Sequence, residues 1–305
     1  MNPYINIIIP IHNSEKWLPY CLDSLVNQTN KNFSVIAVLD NCTDNSERVI
    51  KDYQSKIEIQ YYSVEYRNAG AARNFGLDNC TAQYCTFLDS DDTLTADCVN
   101  VFYLLAFGGD YPENNIYTFR IRGRVDEMGN KRLNANDLAQ NTCVGRLYNV
   151  AFLNRYKIRF PCVSLCEDFL FFAKCKTYSL KESGGIIGYI DVDRIIYNVV
   201  RNDESKYKAV TLDERNKMSA FAATFIQYAD EGTQYITLNI LLFYPTELAR
   251  LLFCNADERI KHRLYQNLRH HPQTKATIKR WYLSAKPKFW QILKPTTAEK
   301  SEKKQ

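Results

Sequence analysis

The sequence predicts an α/β fold with a mainly parallel sheet that is flanked by helices. Strand and helix patterns alternate regularly over the first third of the chain, which is typical of parallel strands joined by right-handed crossovers. Polar side chains gather where successive predicted strands end, as they do in open sheets that bind ligands at this edge. The chain has 305 residues, of which 46% are apolar, and this is enough for a sizeable core.

Hydrophobic periodicity and helix caps place the elements in order. Strands are predicted at 5–11, 33–39, 57–64 and 84–88. Helices are predicted from a cap at Asn13 or Ser14 to about residue 28, from a cap at 44–46 to residue 53, at 71–79, and from near Thr95. From about Thr211 onward the pattern is helical. The regular alternation is therefore confined to the amino-terminal part, which indicates a nucleotide-binding type of architecture there.

Three carboxylates crowd the end of the fourth predicted strand, at Asp89, Asp91 and Asp92. Like charges this close are costly unless a cation binds between them. Carboxylate oxygens suit Mg²⁺ or Mn²⁺, which proteins often hold with one or two carboxylates and the phosphates of a nucleotide. The alternative is that these acids cap the helix that starts near Thr95, although capping explains one acid well and three poorly.

Other strand ends carry polar groups too, and familiar phosphate-binding loops are missing. The first strand runs into Pro10, His12 and Asn13, and the second ends at Asp40. The sequence has neither G-x-x-x-x-G-K-[ST] nor a G-x-G-x-x-G after the first strand, which disfavours P-loop enzymes and Rossmann dehydrogenases. Because the ends of parallel strands share one edge, we expect Asp40 and the carboxylate cluster to face a single ligand.

Four segments together resemble the inverting glycosyltransferases of family 2, which have the GT-A fold. The segments are 7–13 (Ile-Ile-Ile-Pro-Ile-His-Asn), 38–46 (Val-Leu-Asp-Asn-Cys-Thr-Asp-Asn-Ser), 71–77 (Ala-Ala-Arg-Asn-Phe-Gly-Leu) and 87–92 (Phe-Leu-Asp-Ser-Asp-Asp). Each is weak alone, but the order and spacing are specific. The chain departs from the family at Asn41-Cys42, where a second acid and a glycine are usual, and at 66–68 (Tyr-Arg-Asn), where Asn-x-Gly is usual.

The resemblance implies roles for the residues of the donor half. It implies that Pro10 and Asp40 flank uracil, with the Asp40 carboxylate accepting the ring N–H. It implies that Asp89 faces the ribose and that Asp91, together with Asp89, ligates the metal. It also places His12, Asn13, Arg73 and Ser90 at the nucleotide-sugar. From the residues alone, Arg73 could instead be a surface helix arginine and Asp40 the start of an Asx-turn.

The middle of the chain is expected to supply the acceptor site and the general base. Glu167 and Asp168 start a strongly apolar helical segment and resemble the family's Glu-Asp motif, which implies that Asp168 is the base. The alternative is a helix amino terminus stabilised by acids. Segment 197–205 resembles the family's Tyr-x-x-x-Arg-x-x-x-Ser segment, which implies that Arg201 contacts the diphosphate. An ordinary loop arginine is the competing interpretation of Arg201.

The cysteines and the apolar runs bear on the compartment. The ten cysteines are scattered without a CxxC pair, which is typical of small core residues in a reducing compartment. Cys162 and Cys166 have no matching partners, so zinc is not expected. The early apolar run is short, and the stretch 236–253 contains Asn239, Pro245, Glu247 and Arg250. We therefore expect a soluble, cytoplasmic protein without a secretory signal or a membrane span.

The carboxyl-terminal region is strongly basic. Between Arg259 and Ala298 there are ten Lys or Arg residues and no Asp or Glu, together with Trp281, Tyr282, Phe289 and Trp290. Basic residues among aromatics suit the inner face of an anionic membrane or a negatively charged acceptor. A solvated helical face is the alternative. Nucleic acid is not expected as a partner, because no recognised nucleic-acid module is present.

These inferences combine into one expected organisation and function. A GT-A domain is expected at 1–210, with a donor half at about 1–105 and an acceptor half at about 106–210, then a helical basic region at 211–295 and a disordered tail at 296–305. The resemblance implies metal-assisted transfer of a hexosyl or N-acetylhexosaminyl group from a UDP-sugar to a hydroxyl of a glycan or glycolipid, in cell-surface polysaccharide or lipopolysaccharide-type synthesis. The alternatives are a sugar nucleotidyltransferase and a non-catalytic sugar- or membrane-binding protein.

Overall fold

The computed structural model of the chain describes residues 4–107, 115–125, 142–162, 167–182 and 190–200. All of them belong to the first of two units into which the chain divides, Met1–Leu212, whereas the second unit is Asp213–Gln305. Several predictions lie outside the described residues: Cys166, the diphosphate contact of Arg201, the basic region 211–295 and the tail 296–305. Among the described residues, no helix is long and apolar enough to cross a membrane.

The described chain forms eight strands and six helices. The strands are β1 Ile5–Ile11, β2 Phe33–Asp40, β3 Ile59–Val64, β4 Tyr84–Phe87, β5 Thr93–Leu94, β6 Ile116–Val125, β7 Arg146–Asn149 and β8 Ile190–Val200. The helices are α1 Leu18–Val26, α2 Ser46–Tyr53, α3 Ala69–Asp78, α4 Cys98–Phe107, α5 Val150–Arg155 and α6 Glu167–Glu182. The four strands predicted from the sequence are all present, each within two residues of its predicted ends.

One sheet contains all eight described strands, in the order β3-β2-β1-β4-β7-β6-β8-β5. β3, β2, β1 and β4 are parallel to one another. β7 joins β4 in antiparallel orientation, and β6 and β8 form a further parallel pair. The predicted α/β fold with a mainly parallel sheet is confirmed. The parallel half brings the ends of β1, β2 and β4 to one edge.

The core is built on β1 and β2, which lie in the middle of the parallel half. Every residue of β2 is buried, and Pro10 is the one residue of β1 that is not fully buried. Strands with both faces buried need continuous apolar runs, because helices cover both sides of a parallel sheet. On α1, Leu18, Cys21, Leu22 and Leu25 are buried. The uninterrupted run Ile7-Ile8-Ile9 is therefore explained by its central position.

The first helix begins later than predicted. α1 starts at Leu18, and neither Asn13 nor Ser14 caps it with a side chain. The backbone N–H groups of Trp17 and Leu18 donate to the Ser14 carbonyl at 3.0 and 2.8 Å, which forms a turn ahead of the helix. Asn13 has a φ of 47°, and its side-chain oxygen accepts from the Thr43 N–H at 2.7 Å. Asn13 therefore hydrogen-bonds to the loop after β2 instead of capping α1.

Gly76 sets the distance between α3 and the sheet. A Cβ atom on Gly76 would lie 2.4 Å from Cγ2 of Ile8, a fully buried residue of β1. Real side chains do not approach this closely, so the helix could keep its place only if Ile8 moved. The glycine of the 71–77 segment is thus explained by close helix–sheet packing.

Gly76→Ala is expected to lower the free energy of unfolding by about 1–3 kcal/mol, because it overpacks the core at Ile8. On an unobstructed helix the same change would raise stability by up to about 1 kcal/mol, so the sign of the effect is diagnostic. Urea unfolding measures it. Combining Gly76→Ala with Ile8→Ala should give a clearly non-additive double-mutant cycle. A more stable Gly76→Ala variant would contradict the close packing.

Candidate active site

The loops after β1 and β2 are joined by a set of hydrogen bonds. The Ser14 N–H donates to Oγ of Ser46 at 2.9 Å. The Glu15 N–H donates to Oδ2 of Asp44 at 2.9 Å, and Oε2 of Glu15 accepts from the Asn45 N–H at 2.8 Å. The residues at 44–46, which we predicted as helix caps, therefore also tie the two loops to each other. Oδ1 of Asp44 accepts from the Ser46 N–H, the first of α2, at 3.0 Å. Asn45 does stand at the N-cap of α2, but its side chain makes no capping bond.

The loop after β1 also contacts the carboxylate turn, which we define as residues 89–92. Oγ of Ser14 lies 2.7 Å from Oγ of Ser90, and both residues are buried. The Cys21 thiol on α1 also donates to the Asp89 carbonyl, at 3.7 Å. The predicted donor-site residue Ser90 is thus at the edge where β1 and β4 end, but its hydroxyl is engaged with Ser14.

The three acids of the carboxylate turn differ in their surroundings. Asp92 is 5% exposed, its N–H donates to the Asp89 carbonyl at 3.0 Å, and its Oδ2 accepts from the Tyr197 hydroxyl at 2.7 Å. The Asp89 side chain is 35% exposed, and Asp91 is also partly exposed. The strand β5 lies between this turn and α4, which begins at Cys98. The acids therefore cannot cap that helix, and the capping interpretation of the cluster is wrong.

Arg73 connects the carboxylate turn to the predicted base motif. It lies on α3, is 6% exposed, and its guanidinium is 2.8 Å from Oδ1 of Asp89 and 3.1 Å from Oε1 of Glu167. Burial acts to lower the pKa of this guanidinium, but the neighbouring acidic groups outweigh burial and the pKa is raised. Arg73 is therefore a buried cation between two carboxylates, and the alternative of a surface arginine is wrong.

The adjacent Asn74 fixes the segment that precedes α6. Its Nδ2 donates to the Phe160 carbonyl at 2.9 Å, and its Oδ1 accepts from the Phe160 N–H at 2.7 Å. A Cβ on Gly70 would lie 3.1 Å from Cβ of Phe160, so the start of α3 also approaches this segment closely. These contacts hold the chain from which α6 starts beside the end of the parallel sheet. Sequence reasoning missed this role of Asn74, although its segment was singled out.

Glu167 and Asp168 form the first turn of α6, as predicted, and both are partly buried. Burial raises the pKa of the Glu167 carboxyl; the cation Arg73 opposes this shift and the charge of Asp168 adds to it. The Cys143 thiol lies in the same charged cluster, and burial is the main cause of its raised pKa. Glu167 therefore stands in a poorly solvated environment in which its acid–base properties differ from those in water.

Asp40 is held by the loop between β3 and α3. Its Oδ1 accepts from the N–H groups of Tyr66 and Arg67 at 2.7 and 2.8 Å, and its Oδ2 accepts from the Asn68 N–H at 2.8 Å. Asp40 is 4% exposed, and Arg67 has a φ of 53°. The loop that departs from the family pattern is therefore the one that wraps the Asp40 carboxylate. Asn68 also caps α3, since its side chain accepts from the Ala71 N–H.

His12 lies next to Asp40 at the end of β1. Its Nδ1 is 2.7 Å from the Asp40 carbonyl oxygen, and the side chain is exposed. Because a carbonyl oxygen only accepts hydrogen bonds, this contact requires a hydrogen on Nδ1. The other ring nitrogen, Nε2, takes no part in it. His12 and Asp40 are thus neighbours, and the partly buried Pro10 precedes His12 by two residues on β1.

The described residues do not form a complete metal site by themselves. Within the described ranges, no three His, Cys, Asp or Glu side chains converge closely enough to hold a metal ion. Two partly exposed carboxylates are nevertheless the donor set that Mg²⁺ or Mn²⁺ uses when phosphate oxygens complete the shell. The carboxylates of Asp89 and Asp91 are therefore suitable ligands for such an ion.

The amino-terminal half of the chain is similar in sequence to known proteins. A family model described as glycosyl transferase family 2 matches residues 6–153. The glycosyltransferase GlyA of Streptococcus pneumoniae serotype 4 is 39% identical over 119 residues, which are 38% of this chain and 17% of GlyA. The poly(ribitol-phosphate) beta-glucosyltransferase of Bacillus spizizenii is 26% identical over 266 residues, which cover 77% of this chain and 42% of that enzyme. The chain thus matches less than half the length of these relatives.

Solved structures share the fold. Residues 1–349 of Staphylococcus aureus TarS, in complex with UDP-GlcNAc, match with a TM-score of 0.64 at 17% identity, over 88% of this chain and 81% of TarS 1–349. The mannosyltransferase PcManGT of Pyrobaculum calidifontis, in complex with GDP-Man and Mn²⁺, matches with a TM-score of 0.55 at 15% identity, over 93% and 81% of the two chains. At these identities the likeness concerns the fold. Residues 6–153 are thus similar to glycosyl transferase family 2, and the chain has the GT-A fold of these neighbours.

Proposed function

We propose that this chain is an inverting glycosyltransferase that transfers a sugar from a UDP-sugar to a hydroxyl of a glycan or glycolipid acceptor. The observation that carries the proposal is the buried contact of Arg73 with Asp89 and Glu167. It joins the end of β4, where the donor is expected, to the start of α6, where the base is expected. Donor activation and acceptor deprotonation can therefore occur at one place.

The hydrogen bonds that the Asp40 carboxylate already accepts support uracil as the base of the donor nucleotide. A carboxylate oxygen accepts about two hydrogen bonds, so Oδ1 is filled by Tyr66 and Arg67 and Oδ2 keeps one position. Uracil presents a single ring N–H, whereas guanine presents a ring N–H and an amino group side by side. One remaining acceptor position matches uracil better than guanine, and cytosine has no ring N–H to offer.

The proposed metal lies at the diphosphate. Asp91 and Asp89 would hold Mn²⁺ or Mg²⁺ there, and the ion would supply positive charge for the diphosphate that leaves. The Mn²⁺ in the GDP-Man complex of PcManGT supports such an ion in this fold. Arg73 contributes a fixed positive charge behind Asp89, because its buried guanidinium keeps that carboxylate in place.

Asp168 is the proposed general base. The acceptor oxygen attacks the anomeric carbon, the bond from that carbon to the phosphate oxygen breaks, and the hydroxyl proton passes to the Asp168 carboxylate. Glu167 is less suited to this task, because its carboxylate is paired with Arg73 and would lose part of that attraction on protonation. Direct attack from the opposite face of the sugar gives inversion.

The named activity of the Bacillus spizizenii relative supports a cell-surface polymer as acceptor. That enzyme is a poly(ribitol-phosphate) beta-glucosyltransferase, and the minor teichoic acid biosynthesis protein GgaA of Bacillus subtilis matches 50% of this chain at 31% identity. We therefore place the reaction in the synthesis of such a polymer, with a hexosyl or N-acetylhexosaminyl group as the transferred sugar.

A nucleotide panel tests the donor part of the proposal. With Mn²⁺ present, UDP at about 100 times its dissociation constant should stabilise the protein by about 2.7 kcal/mol. This corresponds to a rise in Tm of roughly 5–10 °C, whereas GDP and CDP at the same concentration should have little effect. Equal shifts with GDP would contradict the role of Asp40. No shift with any nucleotide sugar would favour a non-catalytic protein, and release of pyrophosphate from the sugar nucleotide would favour a nucleotidyltransferase.

A further inference from the structure

Tyr197 occupies a position that the proposed mechanism does not use. It lies on β8, is 0% exposed, and its hydroxyl contacts both ends of the carboxylate turn. The hydroxyl donates to Oδ2 of Asp92 at 2.7 Å and accepts from the N–H of Asp89 at 3.2 Å. One phenol oxygen therefore bridges the first and last residues of the turn.

The pairing of β5 with β8 fixes the position of the Tyr197 side chain. Immediately after the turn, β5 pairs with β8 in antiparallel orientation, with Leu94 opposite Tyr197 and Thr93 opposite Asn198. A tyrosine has only two rotatable side-chain bonds, so a short strand pair is enough to aim its hydroxyl. The Tyr197 hydroxyl is the donor to Asp92, because an ionised carboxylate can only accept a hydrogen bond.

The bridge distinguishes acids that look equivalent in the sequence. Asp92 is turned toward the protein interior and hydrogen-bonded to Tyr197, while Asp89 and Asp91 are partly exposed at the edge where β4 ends. A carboxylate that is buried and engaged in this way is poorly placed to contact a diphosphate. Through the Asp89 N–H, Tyr197 also holds the backbone of a proposed ligand, and replacing an outer partner of a ligating residue commonly changes metal affinity by about 10–100-fold.

We propose that Tyr197 is a positioning residue that fixes the carboxylate turn and keeps Asp92 out of the metal site. This inference rests on the proposed function, because it assumes that Asp89 and Asp91 hold a metal with the nucleotide. In this arrangement a residue of β8 holds the carboxylate turn in place. A strand from the acceptor half of the domain therefore helps to determine the geometry of the donor site.

The test measures Mn²⁺ binding in the presence of UDP, by electron paramagnetic resonance, for the full-length protein and its variants. Tyr197→Phe removes only the bridging oxygen and should raise the dissociation constant for Mn²⁺ about 10-fold or more. The rate of UDP-sugar turnover at saturating Mn²⁺ should fall much less. Tyr117→Phe is the matched control, since Tyr117 is 0% exposed and its hydroxyl donates to the Leu105 carbonyl of α4. It should bind Mn²⁺ as the wild type does.

Asp92→Asn provides a second arm that does not depend on the folding of Tyr197→Phe. The amide oxygen of asparagine can still accept from the tyrosine hydroxyl, so Mn²⁺ affinity should stay within about twofold of the wild type, in contrast to the loss expected for replaced ligands. If Asp92→Asn lost Mn²⁺ binding, Asp92 would be a ligand and the inference would be overturned. Unchanged Mn²⁺ affinity in folded Tyr197→Phe would also overturn it. Failure of the wild type itself to bind Mn²⁺ with UDP would instead reject the proposed metal site.

Discussion

Replacing Asp91 by asparagine should reduce Mn²⁺-dependent turnover of the UDP-sugar by at least about 10²–10³-fold, the usual cost of losing one group that stabilises developing charge. Asp91 is partly exposed in the carboxylate turn, so neutralising it should relieve repulsion among the acids without disturbing the core. The loss should therefore appear in activity and in Mn²⁺ binding, while circular dichroism and the urea midpoint stay close to those of the wild type.

Asp97→Asn is the matched control for this variant. Asp97 follows the same turn after β5, and its carboxylate is paired with Arg194 and is 37% exposed. It lies outside the proposed site, so its replacement should leave turnover within about twofold of the wild type, as surface changes usually do. If Asp91→Asn kept nearly full activity at saturating Mn²⁺, the metal assignment would be wrong. A variant that had lost its circular dichroism spectrum would be excluded from the comparison.

The parallel half of the sheet could be predicted because its signals are local. β1, β2 and β4 are mainly apolar runs and β3 is rich in aromatic and β-branched residues; each lies next to a helical pattern and was placed to within two residues. The other half gave weaker signals. β5 has two residues and β7 has four, and their pairing depends on partners far along the chain, such as Thr93 with Asn198. Pairing at such separation leaves no periodicity in the sequence to detect.

In the candidate site, too, some features could be predicted from the sequence and others could not. The alternation of strands and helices was sufficient to place Asp40 and Asp89 at one edge of the sheet, because the ends of neighbouring parallel strands meet there. The Glu167-Asp168 pair lies on a helix and was assigned only through the family resemblance. What these signals could not give is which groups contact each other. Arg73 pairs with Glu167, which is 94 positions away, and so forms a buried link that its place in the sequence does not predict. Asp91 and Asp92 are neighbours of the same type, and the structure distinguishes them by the burial of Asp92 and its hydrogen bond to the hydroxyl of Tyr197.

Replacing Asp168 by asparagine should lower kcat by about 10²–10⁴-fold, the contribution expected of a positioned general base. Affinity for the UDP-sugar should change little, because the base acts only when the acceptor hydroxyl attacks. Calorimetry with the donor and steady-state kinetics separate the two quantities. Asp168 lies in the first turn of α6 beside Glu167, whereas most of the predicted nucleotide contacts lie at the ends of β1, β2 and β4, so binding and chemistry belong largely to different elements.

Glu167→Gln provides the comparison that tells the two acids apart. Glu167 shares Arg73 with Asp89, so removing its charge should disturb the donor side and raise the dissociation constant of the UDP-sugar. Its effect on kcat should be smaller than that of Asp168→Asn, while Asp78→Asn, a surface acid paired with Arg159, should change neither quantity. The reverse pattern would contradict the assignment. If Asp168→Asn lost donor affinity in step with its rate, Asp168 would belong to the donor site, and Glu167, whose pKa is raised by burial, would become the candidate base.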